Sequence, residues 1–470
     1  MAVLGGSTAD TVDAQKQVVL IDTLRVLALY NGLVTISLDG TGVVLELAEE
    51  LTPSKDARSW VVRLRDGLEF HNGKSVTAED VIYSFRRILN PKDPLEGAPA
   101  LRQVDYNGFK ALDKRTVQIT CDAPFATLPL QLTDSYSYGI IPVGYDPKNP
   151  VGTGPFKFKR FTPGQQSVFL RNDHYFKPGL PYLDELTILD FSDDTSAYSA
   201  LQSNQVNVFA EAALPLAKQA ASQGLTALVS KTGQWTPFTM RVDQPPFTDV
   251  RVRQAFRYIV NRNQLVANAF DGLAAVGNDI FGNHDPDYLA DLHRNQDIDL
   301  AKHLLKQAGQ SDLTIDLVTA DFATGVVQSA QVFAQDAKAA GITVNIKQLT
   351  TGDFYGPNYL SWTFAQDFWG YNPYLSQVAQ STLPVSIYNE CHFANQRYYD
   401  LYIAANSTLD DTKRRDIQHE MEMIDFNEGG YIIGTYNKTV DLMADNVHGF
   451  PEGATGVALG NGSFETAWMD

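Results

Sequence analysis

WVVRLRDGLEFHNGKSVTAEDVIYSFRRIL, residues 60–89, reads as strand, turns and capped helix. Trp60, Val62 and Leu64 alternate with Val61, Arg63 and Arg65, the period of two that a strand with one buried face requires. Asp66-Gly67 and Asn72-Gly73 are turn dipeptides, which leaves Leu68 to Phe70 room for only a brief strand. Thr77 and Asp80 stand three apart, the spacing of a capping box. The hydroxyl takes an orphan amide at the helix start, and the carboxylate reaches back to the Thr amide. Beyond that cap Val81, Ile82, Phe85, Ile88 and Leu89 fall on one helical face.

Working outward, the same two periods alternate. Residues 156–161 alternate like a strand. Thr248 or Asp249 is expected to cap a helix whose buried stripe is Val252, Ala255, Phe256 and Ile259. Asp299 is expected to cap another, with Leu300, Leu304 and Leu305 on one side and Gly309 at its end. Leu313, Ile315 and Leu317 read as a strand, then Val327, Ala330, Phe333, Ala334 and Ala337 as a helical stripe closed by Gly341. Ile342, Val344 and Ile346 form the next strand. Strand, crossover helix, strand implies a parallel pair, so the fold class is α/β. Ile417, Met421 and Ile424 share one face of a helix ended by Gly429-Gly430, and residues 431–436 are strand-like.

The chain of 470 residues has room for about three domains' worth of core. A formal charge of −18 repels phosphate backbones and anionic lipid, which excludes nucleic acid as a partner. No run of eighteen apolar residues is long enough to span a bilayer. Residues 1–17 lack a basic segment followed by an apolar one, the mark of an uncleaved export signal. Cys121 and Cys391 form no metal pattern and read as buried free thiols, one disulfide being the alternative.

Enzyme motifs fail on context. In residues 151–156 (VGTGPF) no Lys-Ser/Thr follows Gly154, so this is no phosphate loop; Gly40-Thr41-Gly42 has no third glycine before a helix. There is no Gly-x-Ser-x-Gly, and His419-Glu420 lacks the second His of a zinc helix. Paired carboxylates of a glycoside hydrolase meet only in the fold, so that activity stays as the enzyme alternative. Neither metal nor cofactor is expected.

Residues 60–89 also resemble a segment of the extracytoplasmic solute-binding proteins of ABC importers, the oligopeptide-, dipeptide- and nickel-binding family. The resemblance rests on Trp60, Leu64, Arg65, Gly67, Phe70, His71, Gly73, Thr77, Ala78, Asp80, Val81 and Ser84. Further matches are Tyr30-Asn31-Gly32-Leu33, Ala48 to Leu51, VGTGPF, residues 172–176, 181–184 and 200–208, and residues 245–256 (PPFTDVRVRQAF). It implies a two-lobed periplasmic-binding-protein type II fold with an extra scaffold domain. The first lobe would be 1–43, 154–242 and 436–470, the scaffold 44–153 and the second lobe 243–435. His71 would be structural; Arg251 and Arg253, on a surface-facing helix start beside Asp249, read as ion-pairing residues, with an anion site as the alternative. The protein would be a monomer outside the cytoplasm, in the periplasm or lipid-anchored to the outer face of the membrane. Its partners would be a peptide or other small-molecule ligand and the importer's permease subunits.

In the family, residues 364–374 (FAQDFWGYNPY) correspond to a W-x-x-D segment beside the ligand. Trp369 stands at the Trp and Asn372 at the Asp that holds a peptide's α-ammonium. An Asn carbonyl accepts a hydrogen bond but supplies no charge, and Asn31 replaces a common Glu in the same sense. The resemblance therefore leaves peptide, saccharide or another neutral solute, or a metal chelate, as ligand classes. Trp369 and Tyr371 would stack on the solute, with Asn31 and Asn372 bonding it. Tyr136, Tyr138 and Trp235 are further ligand candidates that serve equally as packing residues. Arg241 reads as a cleft cation or an exposed ion pair, and His392 stands where nickel-binding members place a metal ligand. Trp369→Ala is expected to cost affinity and leave the fold intact.

Overall fold

The computed structural model describes residues 1–17, 19–134 and 136–470. The chain divides into two units. One comprises Met1–Ser230, Asn406–Leu409 and Thr439–Asp470; the other comprises Lys231–Ala405 and Asp410–Lys438.

In the first unit the strand Ala2–Leu4 lies between Glu185–Phe191 and Val208–Ala210 and runs parallel to both. Gln166–Arg171 and Phe156–Thr162 continue that sheet antiparallel. The same unit holds a four-stranded antiparallel sheet, ordered Ala48–Pro53, Ser59–Leu64, Thr116–Cys121, Val104–Ala111. Its core contains the stretch read first. Trp60, Val62 and Leu64 point inward and pack with Val81, Phe85, Val117 and Ile119. The helix Ala78–Ile88 starts as expected: Asp80 accepts the Thr77 amide at 3.0 Å and its hydroxyl at 2.7 Å. His71 joins two backbone groups, accepting from Gly152 N at Nδ1 (3.1 Å) and donating from Nε2 to Gly154 O (3.0 Å). Burial holds its pKa down to about 4, so the ring is neutral and structural.

The second unit carries a five-stranded sheet ordered Thr343–Leu349, Thr314–Ala320, Phe364–Gln366, Phe238–Met240, Tyr431–Ile432. The first three strands are parallel, as the strand–helix–strand reading requires. One face, with Ile315, Leu317, Phe364, Phe238 and Met240, packs on Phe256, Leu305 and Phe333 of three helices, Val250–Ile259, Ile298–Gln307 and Val326–Ala339. The cap of the middle helix is Asp297 rather than Asp299: its carboxylate accepts from Leu300 N at 2.8 Å. Arg251 pairs with Asp249, but Arg253 is not on the surface. It is buried and donates to the carbonyls of Phe247 and Glu428, because the helix start folds back over that chain segment.

Much of the buried charge in this unit is bonded to backbone carbonyls, amides and hydroxyls. Arg257 donates to four carbonyls, those of Asp425, Phe426, Gly429 and Tyr431, at 2.8–3.1 Å, and so closes the end of the helix Asp411–Glu428. On that helix, Glu422 accepts from Gln418 and the Leu289 amide, and Asp425 from the hydroxyls of Tyr374 and Tyr398. Burial raises Glu422 to about 8 and Asp425 to about 7. The folded chain holds these protons, whereas an unfolded carboxyl loses its proton near about pH 4. Their stabilisation is therefore complete below about pH 4 and is lost as pH rises towards 8. His71 works in the opposite direction, its contribution growing between about pH 4 and 6.5. Glu422→Gln is expected to flatten the alkaline decline. Thermal unfolding followed at pH 5, 6.5 and 8 checks it, and an unchanged slope would count against the assignment.

Both cysteines are buried free thiols. Among the described residues no helix is long and apolar enough to cross a membrane.

Candidate functional site

The strand Thr314–Ala320 has its sequence successor Thr343–Leu349 on one side and Phe364–Gln366 on the other. The order reverses there, and in open α/β sheets ligands bind outside the carboxyl ends of the strands at such a switch point. The residues leaving Phe364–Gln366 at that end are Asp367, Phe368 and Trp369.

Asp367 is buried with both oxygens occupied. Oδ1 accepts from Tyr355 Oη at 2.9 Å and from Phe368 N at 2.8 Å; Oδ2 accepts from Tyr359 Oη at 2.9 Å. Its carboxyl meets that of Glu390, which also accepts from Trp369 Nε1 at 2.9 Å and from the Tyr431 hydroxyl. Burial raises both carboxyls, and the charge on Asp367 pushes Glu390 further, so the two carboxyls share a proton.

Trp369 is 9% exposed. Its backbone forms a bridge with Trp235 (N···O 3.0 and 2.9 Å), and the two indoles stack at 6.0 Å, with Phe281 on the far side of Trp235 at 5.5 Å. Tyr371 is buried against Gly233, where a Cβ would come within 2.3 Å of the ring, and meets His284 edge-on at 5.5 Å. Asn372 donates from Nδ2 to Gln377 Oε1 at 3.0 Å, and Gln377 donates on to Ser381 Oγ at 3.1 Å. Trp235, Trp369, Tyr371 and Asn372 thus share one region of the second unit.

Arg241 and His392 form a separate pair in that unit. Arg241 is bidentate with Asp243 (2.8 Å twice) and donates to Leu360 O; its guanidinium is buried, in an ion pair whose carboxylate is exposed. His392 donates from Nε2 to Leu360 O at 3.2 Å, and its Nδ1 stands 3.5 Å from Asp243. Among the described residues no cluster of His, Cys, Asp and Glu is arranged to hold a metal ion. A groove of about 930 Å³ on the same sheet is lined by Pro246, Asp316, Lys347 and Trp362 and takes in none of these candidates.

The remaining candidates lie in the first unit. Asn31 donates to Glu46 Oε2 at 3.2 Å and to Tyr175 Oη at 3.4 Å, while Glu46 pairs with Lys177 at 2.9 Å. Tyr138 is buried in the core around the four-stranded sheet, its hydroxyl on Gly97 O at 2.9 Å. Tyr136 lies beside Asp134, whose charge raises its pKa. In sequence Asp367 is legible as a nearby acid that could supply the charge Asn372 lacks. Glu390, Tyr355, Tyr359 and Phe368 gave no signal in sequence beyond the four-residue spacing of the two tyrosines.

Residues 42–387 match the profile of Bacterial extracellular solute-binding proteins, family 5 Middle. The chain is 24% identical over 435 residues to the glutathione-binding protein GsiB of Escherichia coli (strain K12), spanning 86% of this chain and 82% of that one. It is 28% identical over 321 residues to GsiB of Pectobacterium atrosepticum, 65% of this chain and 61% of that one. Two similar solved structures are the ABC transporter substrate binding protein CtaP from Listeria monocytogenes and the periplasmic binding protein AgaA of A. tumefaciens R10 in complex with agropinic acid. CtaP has a TM-score of 0.86 at 20% identity over 100% of this chain and 99% of that one. AgaA has a TM-score of 0.83 at 24% identity over 100% and 98%. The α/β fold expected from the strand and helix periods is the fold of these binding proteins, and the chain belongs to the bacterial extracellular solute-binding proteins, family 5.

Proposed function

We propose that this chain is the receptor of an ABC importer, capturing a peptide or peptide-like solute outside the cytoplasm and passing it unaltered to the permease. The family match over residues 42–387 carries the reading. The glutathione-binding relatives support a small peptide-like solute. A monomer, held at the outer face of the membrane by a lipid anchor or free in the periplasm, fits that role. The separate core of the four-stranded sheet supports residues 44–153 as an inserted scaffold. Residues 1–43, 154–242 and 436–470 would then form the first lobe and 243–435 the second. Native mass spectrometry of the protein as purified tests the role. One small solute per chain, released unchanged, is expected; conversion of the solute to product would overturn it. Glycoside hydrolysis gains no support from Asp367 and Glu390. Those carboxyls bond each other, whereas catalytic pairs in glycosidases stand about 5–9 Å apart.

Asn372 bears on the solute's amine. Its Nδ2 is spent on Gln377, which leaves Oδ1 as a neutral acceptor. Asp367 does not replace the missing charge, because tyrosine hydroxyls and an amide occupy its oxygens. A solute with a blocked or absent amine is favoured, and a neutral hydroxyl-rich solute is the second reading. Asn372→Asp is expected to tighten binding of free-amine peptides by about 10- to 100-fold, the value of a charged hydrogen bond. Calorimetric titration with a free tripeptide and its N-acetylated form checks this. Equal affinity before and after the substitution would remove residue 372 from amine recognition.

A further inference from the structure

Two aromatic rings at the carboxyl end of the second unit's sheet remain open to solvent. Phe368 and Tyr355 are each 40% exposed. Asp367 Oδ1 links them: it accepts from the Tyr355 hydroxyl at 2.9 Å, which fixes that ring, and from the backbone amide of Phe368 at 2.8 Å, which fixes where that residue leaves the strand. Behind Tyr355 stand Phe354 and Tyr359 at 5.0 Å and Phe322 at 5.5 Å, so its ring is held on three sides.

A single exposed ring is ordinary on a protein surface. Two exposed aromatic residues joined to one buried carboxylate at a switch point, one through its ring hydroxyl and one through its backbone, are a different case. The Tyr355 ring and the Phe368 backbone are ordered before any ligand arrives, which lowers the entropic cost of binding. Trp369 and Tyr371, by contrast, are buried in the packing around Trp235 and Gly233 and offer little surface.

We infer that Phe368 and Tyr355 form the solute-facing aromatic wall of this receptor, and that the solute presents an apolar side chain or ring to it. Trp369 and Tyr371 support that wall from within. The inference rests on the receptor reading above and adds to it the class of group that is recognised.

The test titrates N-acetyl-Gly-Phe-Gly and N-acetyl-Gly-Gly-Gly into the full chain, wild type and variants, by calorimetry. Wild type should favour the phenylalanine peptide by about tenfold or more, the factor expected for burying much of a phenyl ring. Phe368→Ala and Tyr355→Leu should each remove most of that preference, read as the ratio of the two peptides' affinities within each variant. Phe368→Trp, which keeps an aromatic face, should retain it. A wild-type preference that survives both truncations, or no preference in the wild type, overturns the wall alone. Failure of the wild type to bind either peptide, with no peptide-like solute released on native mass spectrometry, overturns the receptor reading and the wall with it.

Discussion

Trp369→Ala is expected to lower the unfolding free energy by about 3–5 kcal/mol, the range for emptying an aromatic from a packed core. The indole is nearly buried, stacked on Trp235 at 6.0 Å and met edge-on by Tyr388 at 5.8 Å. Its Nε1 also supplies one of the donors to Glu390, which is buried beside the Asp367 carboxyl and the Tyr431 hydroxyl. The substitution therefore leaves both a void and an under-bonded carboxyl. This revises the expectation from sequence that the fold would be left intact: a drop in affinity in this variant would mix lost contact with lost structure. Urea unfolding of wild type, Trp369→Phe and Trp369→Ala separates the parts. The phenyl variant should fall between the other two, and a loss below about 1 kcal/mol for alanine would place the indole outside the core.

Asp279→Asn is expected to cost a comparable amount, about 3–5 kcal/mol, through charge instead of volume. Asp279 is buried between Arg262 (2.7 and 2.8 Å) and Arg294 (2.8 Å), and its Oδ1 also accepts the Ile433 amide at 3.1 Å. Neutralising it leaves two buried guanidinium groups with no carboxylate to share. The backbone is at φ +71°, which Asn adopts readily, so the isosteric change tests the charge with the turn preserved. A midpoint shift of several degrees in thermal unfolding is expected. A change within about 0.5 kcal/mol would show that the two arginines are held by carbonyls alone.

What could be read from sequence followed the range of the forces involved. The capping box at Thr77 and Asp80, the inward Trp60, Val62 and Leu64, and the parallel pair around the helix Val326–Ala339 are local patterns, and each is present. The cap at Asp297 shows where local pattern becomes ambiguous. Asp297 and Asp299 both offer a suitable side chain, and the choice is made by a backbone bond from Asp297 N to Tyr258 O at 2.9 Å. Arg253 looks like surface charge because one of its carbonyl partners, Glu428, lies 175 residues further on. The candidate site was legible in the same degree. Trp369 and Asn372 were visible through the resemblance. The Asp367–Glu390 pair with Tyr355, Tyr359 and Tyr431 is assembled from three stretches of the chain, 355–367, 390 and 431, and only the spacing of the first two tyrosines hints at it.

The two sulfhydryls have a practical consequence. Cys121 is pushed up to about 12 and Cys391 also lies well above the ordinary range, in both cases through burial. Only the thiolate attacks electrophiles, so neither group competes for a maleimide dye near neutral pH. A reporter cysteine added at an exposed position would be the reactive one, and the native pair can stay in place while solute uptake is followed by fluorescence.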